Sequence, residues 1–384
     1  MSSYSEILDR RIAARTQRNL RRELRPPCGI DFTSNDYLGF ANDPELRATF
    51  DLAAKKLPLS GSGSRLLRGD IPIYDSVEKV CADFSKQESA LLYPSGYQAN
   101  IGLFSALLTS EDQVFSDELN HASIIDGMRL GKAKKFIYPH LDLNALEKLL
   151  FAAPPCVGMR VVVTESIFGM DGSFAKIPEL IHITEKFGAA LIVDEAHATG
   201  LYGSGRVADG GFAKDVLATI HTGGKSLGAS GAWIAGSAKL RDYLIQYSRA
   251  FIYSTAPFPE QALLLKLAIE HWRKVGNTRT ETLFSKVILL KKSLLASGNP
   301  GLRFHSETSE ECPIVPIIIG ETEKTIRIAN ELQLLGFDIR AIRPPTVAEG
   351  SSRLRIILHA DQKEADIFSL ARALVSVLEA ERSQ

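Results

Sequence analysis

No stretch of the 384-residue chain approaches the apolar length needed to cross a bilayer. An excess of either charge is also missing, since 45 basic residues balance 45 acidic ones. That balance leaves no electrostatic footprint for nucleic acid or an anionic membrane surface. Cysteine is scarce: Cys28, Cys81, Cys156 and Cys312 lie far apart without a C-x-x-C pair. Neither a metal site nor a disulfide framework is expected, and a reducing cytoplasm is the natural compartment. The N-terminal stretch from Met1 to Arg25 lacks the apolar centre of a secretory signal. Glu6, Asp9 and Glu23 argue against a transit peptide, so a surface helix is expected there. Repeats and low-complexity tracts are absent too. What remains, 45% hydrophobic and 23% charged, is an ordinary globular composition, at a length that implies two domains.

The spacing predicts a helix over 1–24, stopped by Pro26-Pro27. Asp31 to Gly39 reads as a short strand entering a turn, Ser60 to Arg65 as a flexible loop, and Ile73 to Gln87 as a helix. In the centre, β-branched runs at Val161–Glu165, Leu191–Asp194 and Ala218–Thr222 alternate with a helix at Ile177–Phe187. Short, fully apolar strands separated by helices imply a parallel sheet covered on both faces. Ligands bind beyond the carboxyl ends of such strands, where Thr164-Glu165, Asp194 and Thr222 all fall. After a helix reaching about Ser297 and a turn at Asn299-Pro300-Gly301, the pattern changes. Strands at Pro313–Ile319, Ile339–Ile342 and Arg353–Leu358 mix with a helix at Glu323–Leu335 and a final helix carrying Ile367, Ala371, Leu374 and Leu378 on one face. The expected division is an N-terminal segment (1–45), a large α/β domain (46–271) and a small α+β domain (272–384).

Two segments carry the chemistry. The run Leu191-Ile192-Val193 ends in Asp194, with His197 three positions later. The run Thr219-Ile220-His221-Thr222 leads through two glycines to Lys225, about one β-α-β crossover further on. An amine, a carboxylate and an imidazole at neighbouring strand ends suit pyridoxal phosphate. The amine forms an imine with the aldehyde, and the carboxylate keeps the ring nitrogen protonated so that the ring accepts electrons. Two rival motifs fail. Gly224-Lys225-Ser226 resembles a P-loop, but Thr219 stands where that loop needs glycine. Gly203-Ser204-Gly205-Arg206-Val207-Ala208 matches G-x-G-x-x-A but does not begin in a tight strand-to-helix turn. Pro94 to Asn100 fits either a phosphate-binding helix start or an ordinary cap. His121 fits either a ring that stacks on a flat cofactor or a loop hydrogen bond.

From about Asp31 to Leu358 the chain resembles the α-oxoamine synthases, a branch of the fold-type I pyridoxal-phosphate enzymes. The resemblance rests on Ser34-Asn35-Asp36-Tyr37-Leu38-Gly39, Ser95-Gly96-Tyr97 and His121-Ala122-Ser123. It also rests on Thr164-Glu165 with Met170-Asp171-Gly172, Asp194-Glu195-Ala196-His197 and Thr222 to Lys225. It implies an α/β fold-type I transferase: a mostly parallel sheet in a large domain, a small α+β C-terminal domain, and a homodimer with shared active sites. Lys225 would form the imine, Asp194 contact the ring nitrogen, His121 stack on the ring and His197 bond its hydroxyl. Gly96, Tyr97 and Thr222 would sit at the cofactor, and Tyr253-Ser254-Thr255 resembles the segment that a second subunit contributes to the phosphate site. Arg355 would hold the amino-acid carboxylate, while Arg21 and Thr346 would face the acyl group. The stretch Ala341 to Val347, followed by Ser352 to Arg355, is similar to the biotin-pathway members, which join L-alanine to a pimeloyl thioester of coenzyme A or a carrier protein. Sister enzymes use glycine or serine with other acyl-CoA substrates. Gly169 departs from the pattern, standing where many members have a serine that touches the cofactor. Ala348 replaces a common proline, and Ser64 is shifted within the glycine-rich loop.

Overall fold

The computed structural model describes residues 3–18, 20–306, 308–309 and 311–383. The chain divides into two compact units, one of residues 35–169 and 173–282, the other of residues 1–34, 170–172 and 283–384. The 38-residue helix Pro259–Ala296 runs from the first unit into the second.

The first unit is built on a seven-stranded sheet. In spatial order its strands are Ser89–Tyr93, Ala232–Gly236, Ala218–Thr222, Ala190–Asp194, Arg160–Glu165, Gln113–Asp117 and Lys134–Tyr138. The last five are mutually parallel, while Ala232–Gly236 runs antiparallel to both its neighbours. Alternation along the strands feeds two cores. Val161, Val163 and Ile192 pack on one face with Leu103 and Phe104. Val162, Leu191 and Val193 pack on the other with Phe115, Leu180 and Ile181. Burial on both faces is why these strands read as unbroken apolar runs. The helix predicted over 177–187 forms at Ile177–Lys186, with a proline in its first turn.

The Ser60–Arg65 loop differs from the flexible segment expected. Its end winds into one π turn at Arg65–Gly69, and Arg65 is buried beside Glu78. Glu78 also accepts from Arg241 at 2.8 Å and from the Leu92 N–H at 2.9 Å. A buried carboxylate shared by two guanidiniums needs no solvent, so the loop end is pinned.

In the second unit, Ala341–Ile342, Ser352–Ile357 and Ile314–Gly320 form an antiparallel sheet. The strand predicted over 339–342 forms only at Ala341–Ile342, and a separate two-residue strand precedes it. Phe337–Asp338 pairs instead with Ile30–Asp31, and Ile339 turns back by donating to the Phe337 carbonyl at 2.9 Å. Between the two strands, the Asp338 carboxylate takes Arg340 in a bidentate pair. Gly336 supplies the left-handed residue (φ 91°) that ends the preceding helix, as predicted. The N-terminal helix spans Tyr4–Gln17, shorter than the 1–24 expected. A Ser3–Glu6 capping box starts it, but no residue in it is buried, so packing does not carry it further. The same expectation at Met1, Ser2 and Asn19 lies outside the described residues.

His221 lies fully buried on the central strand Ala218–Thr222, stacked on Trp233 with centroids 4.8 Å apart. Hydrogen bonds of 2.8 Å to Thr199 Oγ1 and Thr219 Oγ1 hold its two ring nitrogens. Burial pushes its pKa down to about 3. The unfolded chain therefore binds this proton first, and the stability His221 contributes is full above about pH 6.5 and lost as pH falls toward 3. Denaturant unfolding should show it removing about 2 kcal/mol between pH 7 and pH 5. His221→Gln should flatten that dependence; an equal slope in both proteins would place the titration elsewhere.

Candidate active site

At the carboxyl ends of the parallel strands the chain order reverses. Gln113–Asp117 has the next strand, Lys134–Tyr138, on one flank and Arg160–Glu165 on the other. Such a switch point leaves a crevice for a ligand. Asp194 closes its strand beside Glu165, its register partner, and Thr222 closes the strand on the other side. Lys225 lies three residues past Thr222, in a turn closed by a 2.9 Å bond from the Gly228 N–H to the Lys225 carbonyl.

Asp194 is buried, and its two oxygens are held by different donors. Asn100 Nδ2 donates to Oδ2 at 2.8 Å and the Ala196 N–H donates to Oδ1 at 2.9 Å. His121 caps the helix Ala122–Leu130 with its ring, accepting at Nδ1 from the Ser123 N–H at 3.2 Å. The ring retains accessible surface, yet partial burial holds its pKa below the ordinary value. The Asp194 carboxylate opposes that shift and the Lys225 ammonium adds to it. These three predicted groups therefore share one electrostatic environment. His197 is buried, with Nδ1 2.7 Å from the Tyr37 hydroxyl.

Ser95, in extended conformation, caps the helix Gly96–Leu107 by accepting from the Gln98 N–H at 3.3 Å. A side chain added at Gly96 would project onto Thr222, its Cβ 3.8 Å from the Thr222 Cβ. Glycine thus keeps open the space between a helix N-terminus and a hydroxyl, a setting suited to phosphate. An amine, a carboxylate, an accessible imidazole and this cradle fit pyridoxal phosphate. Tyr97 is half exposed, and its hydroxyl donates to Asp126, which keeps the proton on the phenol. Ser254 and Thr255 line a small recess of the same unit with Arg65, Tyr93 and Phe251.

The other predicted residues belong to the second unit. Arg21 and Thr346 both line one cavity of about 770 Å³, together with Arg22, Arg25, Arg340 and Arg343. The Arg21 carbonyl accepts from Arg343 at 2.6 Å. Arg355 is buried on Ser352–Ile357 opposite Pro316. Arg353, two residues earlier on the same face, was given no role by the sequence. It is also buried, and burial lowers its pKa against the opposing pull of Asp171.

Sequence reasoning likewise left Tyr37, Asn100 and Ser123 without roles, although each stands in a quoted motif. Helical spacing was the available signal, since Asn100 lies one turn beyond Gly96 and Tyr97. Gly169 has a structural consequence. A Cβ there would lie 2.8 and 2.9 Å from the His197 ring carbons Cε1 and Cδ2, and closer still to Nε2. The imidazole occupies the space a serine would need. Gly169→Ser should therefore displace His197 from Tyr37 and weaken cofactor retention roughly fivefold, the worth of one hydrogen bond of about 1 kcal/mol. Unchanged affinity by equilibrium dialysis, with His197 unmoved in a crystal structure, would contradict this.

The aminotransferase class I and II family model matches residues 28–374. The chain is 37% identical over 386 residues to 8-amino-7-oxononanoate synthase 2 of Bacillus subtilis (strain 168), covering 98% of this chain and 97% of that protein. It is 39% identical over 387 residues to 8-amino-7-oxononanoate synthase of Anaeromyxobacter sp. (strain Fw109-5), covering 97% and 95%. Among solved structures, 8-amino-7-oxononanoate synthase from Francisella tularensis superposes with a TM-score of 0.75 at 27% identity, covering 92% of this chain and 99% of that one. Serine palmitoyltransferase of Sphingomonas wittichii shares the fold, with a TM-score of 0.88 at 23% identity over 99% and 98% of the two chains. The expected fold-type I architecture is thereby established, and the chain belongs to the aminotransferase class I and II family and, within it, to the 8-amino-7-oxononanoate synthases, pyridoxal-phosphate-dependent acyltransferases.

Proposed function

We propose that the enzyme condenses L-alanine with a pimeloyl thioester, of coenzyme A or a carrier protein. The products are 8-amino-7-oxononanoate, carbon dioxide and the free thiol. One observation carries this reading: Asp194 and Lys225 both act electrostatically on His121, in a chain whose near full-length relatives bear that product's name. Bound pyridoxal phosphate supplies a ring that accepts the electron pair left when the amino-acid Cα loses a proton. Lys225 would hold the aldehyde and would take the Cα proton on Nζ. A lysine amine has a pKa of about 10.4 in water, so its site must favour the neutral form. Asp194, its position fixed by two N–H donors, holds the proton on the ring nitrogen.

His121 would stack on the ring, His197 would bond its hydroxyl, and Gly96, Tyr97 and Thr222 would sit at the cofactor, Thr222 near its phosphate. Arg355 binds the alanine carboxylate, and Arg21 with Thr346 bind the acyl chain. In a homodimer, Ser254 and Thr255 complete the partner's phosphate site.

Incubating the protein with L-alanine and pimeloyl thioester should yield carbon dioxide and the amino-ketone. Product from glycine or serine, and none from alanine, would favour a sister activity. Lys225→Ala should abolish turnover and covalent cofactor attachment, so a borohydride-reducible lysine adduct in that variant would refute the assignment. Asp194→Asn should bind cofactor and lose most activity; near-normal rates would mean that another group protonates the ring.

A further inference from the structure

Asn100 is 2% exposed, and the carbonyl oxygen of its side chain has no partner. Buried polar atoms are nearly always bonded, so an orphan calls for a reason. The nitrogen of the same amide supplies it. Nδ2 donates one hydrogen to Asp194 Oδ2 at 2.8 Å and the other to Ser123 Oγ at 2.9 Å. Flipping the amide would aim its oxygen at the Asp194 carboxylate, acceptor against acceptor. The orphan is therefore the consequence of spending both donors on two acceptors.

The second bond continues. Ser123 Oγ lies 2.7 Å from His121 Nδ1, and the Ser123 backbone N–H donates to the same nitrogen at 3.2 Å. An N–H donor requires a lone pair on Nδ1, so the ring hydrogen of the neutral imidazole sits on Nε2. The Ser123 hydroxyl then donates to Nδ1 while accepting from Asn100. A protonated Nδ1 would face the Ser123 backbone donor, hydrogen against hydrogen, although the Ser123 oxygen could still accept from it. The backbone contact therefore favours a neutral His121 with its lone pair on Nδ1, and the Asn100 bond requires Asp194 as an acceptor.

We propose that Asn100 is a positioning residue for the reaction, its one amide fixing Asp194 directly and the orientation and tautomer of His121 through Ser123. The inference rests on the assignment of Asp194 and His121 to the cofactor. It adds that the two are registered to each other by a rigid buried group. Burial of Asn100, Ser123 and Asp194 among the helix Gly96–Leu107, the start of Ala122–Leu130 and the end of Ala190–Asp194 ties three segments of the crevice together.

The test uses the resting holoenzyme, titrated by visible absorption of the bound cofactor, beside steady-state kinetics. Asn100→Ala should shift the pH dependence of that absorption by about one unit or more. It should also lower kcat about tenfold or more, with the KM for L-alanine little changed. Ser123→Ala, which leaves the Asn100–Asp194 bond intact, should give a smaller shift and a smaller loss. The double variant should resemble Asn100→Ala alone, since both cut the same arm to His121. Ser123→Thr, which keeps the hydroxyl, should restore the wild-type profile. Wild-type absorption profiles and kcat in both alanine variants would overturn the proposal, as would strictly additive effects. Should Asn100→Ala fail to fold, the Ser123 pair decides alone. A wild-type protein with no cofactor absorption would instead sink the functional assignment itself.

Discussion

The structure turns on one buried carboxylate. Asp194 stands at the end of a central strand with both faces of the sheet covered, so water is scarce around it. An ion is costly there unless donors surround it, and two N–H groups do, from Asn100 and Ala196. One donor is the backbone of its own turn, while the other arrives from a helix far away in sequence. The helix Gly96–Leu107 thereby serves twice, presenting its N-terminus beside Thr222 and its Asn100 to the acid.

The neighbouring acid has a different task. Glu195 is fully buried, and burial raises its pKa against several donors. It accepts from the Arg206 and Val207 N–H groups at 2.9 and 2.8 Å and from Ser166 Oγ at 3.0 Å. The glycine-rich run Gly203 to Ala208, rejected as a dinucleotide site from sequence, thus leads into the short helix Arg206–Asp209, whose first N–H groups a carboxylate clamps. Consecutive acids divide the work, one toward the candidate cofactor site and one toward the fold.

Geometry alone does not make a catalyst. Asp117, His140 and Ser173 line up as acid, imidazole and hydroxyl, with His140 Nδ1 2.9 Å from Asp117 and Nε2 2.8 Å from Ser173 Oγ. That order matches a nucleophilic triad, yet Ser173 is fully buried, out of reach of a substrate. The Asp117 carboxylate also accepts from the Leu119 and Leu141 N–H groups, and its bonds fasten a turn. The acid and imidazole at Asp194 and His121 differ because His121 keeps accessible surface.

The sequence by itself determined the central strands, because burial on both faces writes itself as apolar runs. It also determined the order of Asp194, His197 and Lys225, because strand ends are legible where those runs stop. The long glycine-bounded helix ends were readable for the same local reason. Only the tertiary structure decided that Phe337–Asp338 forms a strand of its own ahead of Ala341–Ile342, since it depends on a partner strand at Ile30–Asp31. Only it showed that the imidazole of His197 fills the room beside Gly169, and that Asn100 reaches both Asp194 and Ser123. Periodicity reports which face a residue turns to the core, but hydrogen bonds between distant segments depend on ångström-scale approach that no local pattern encodes.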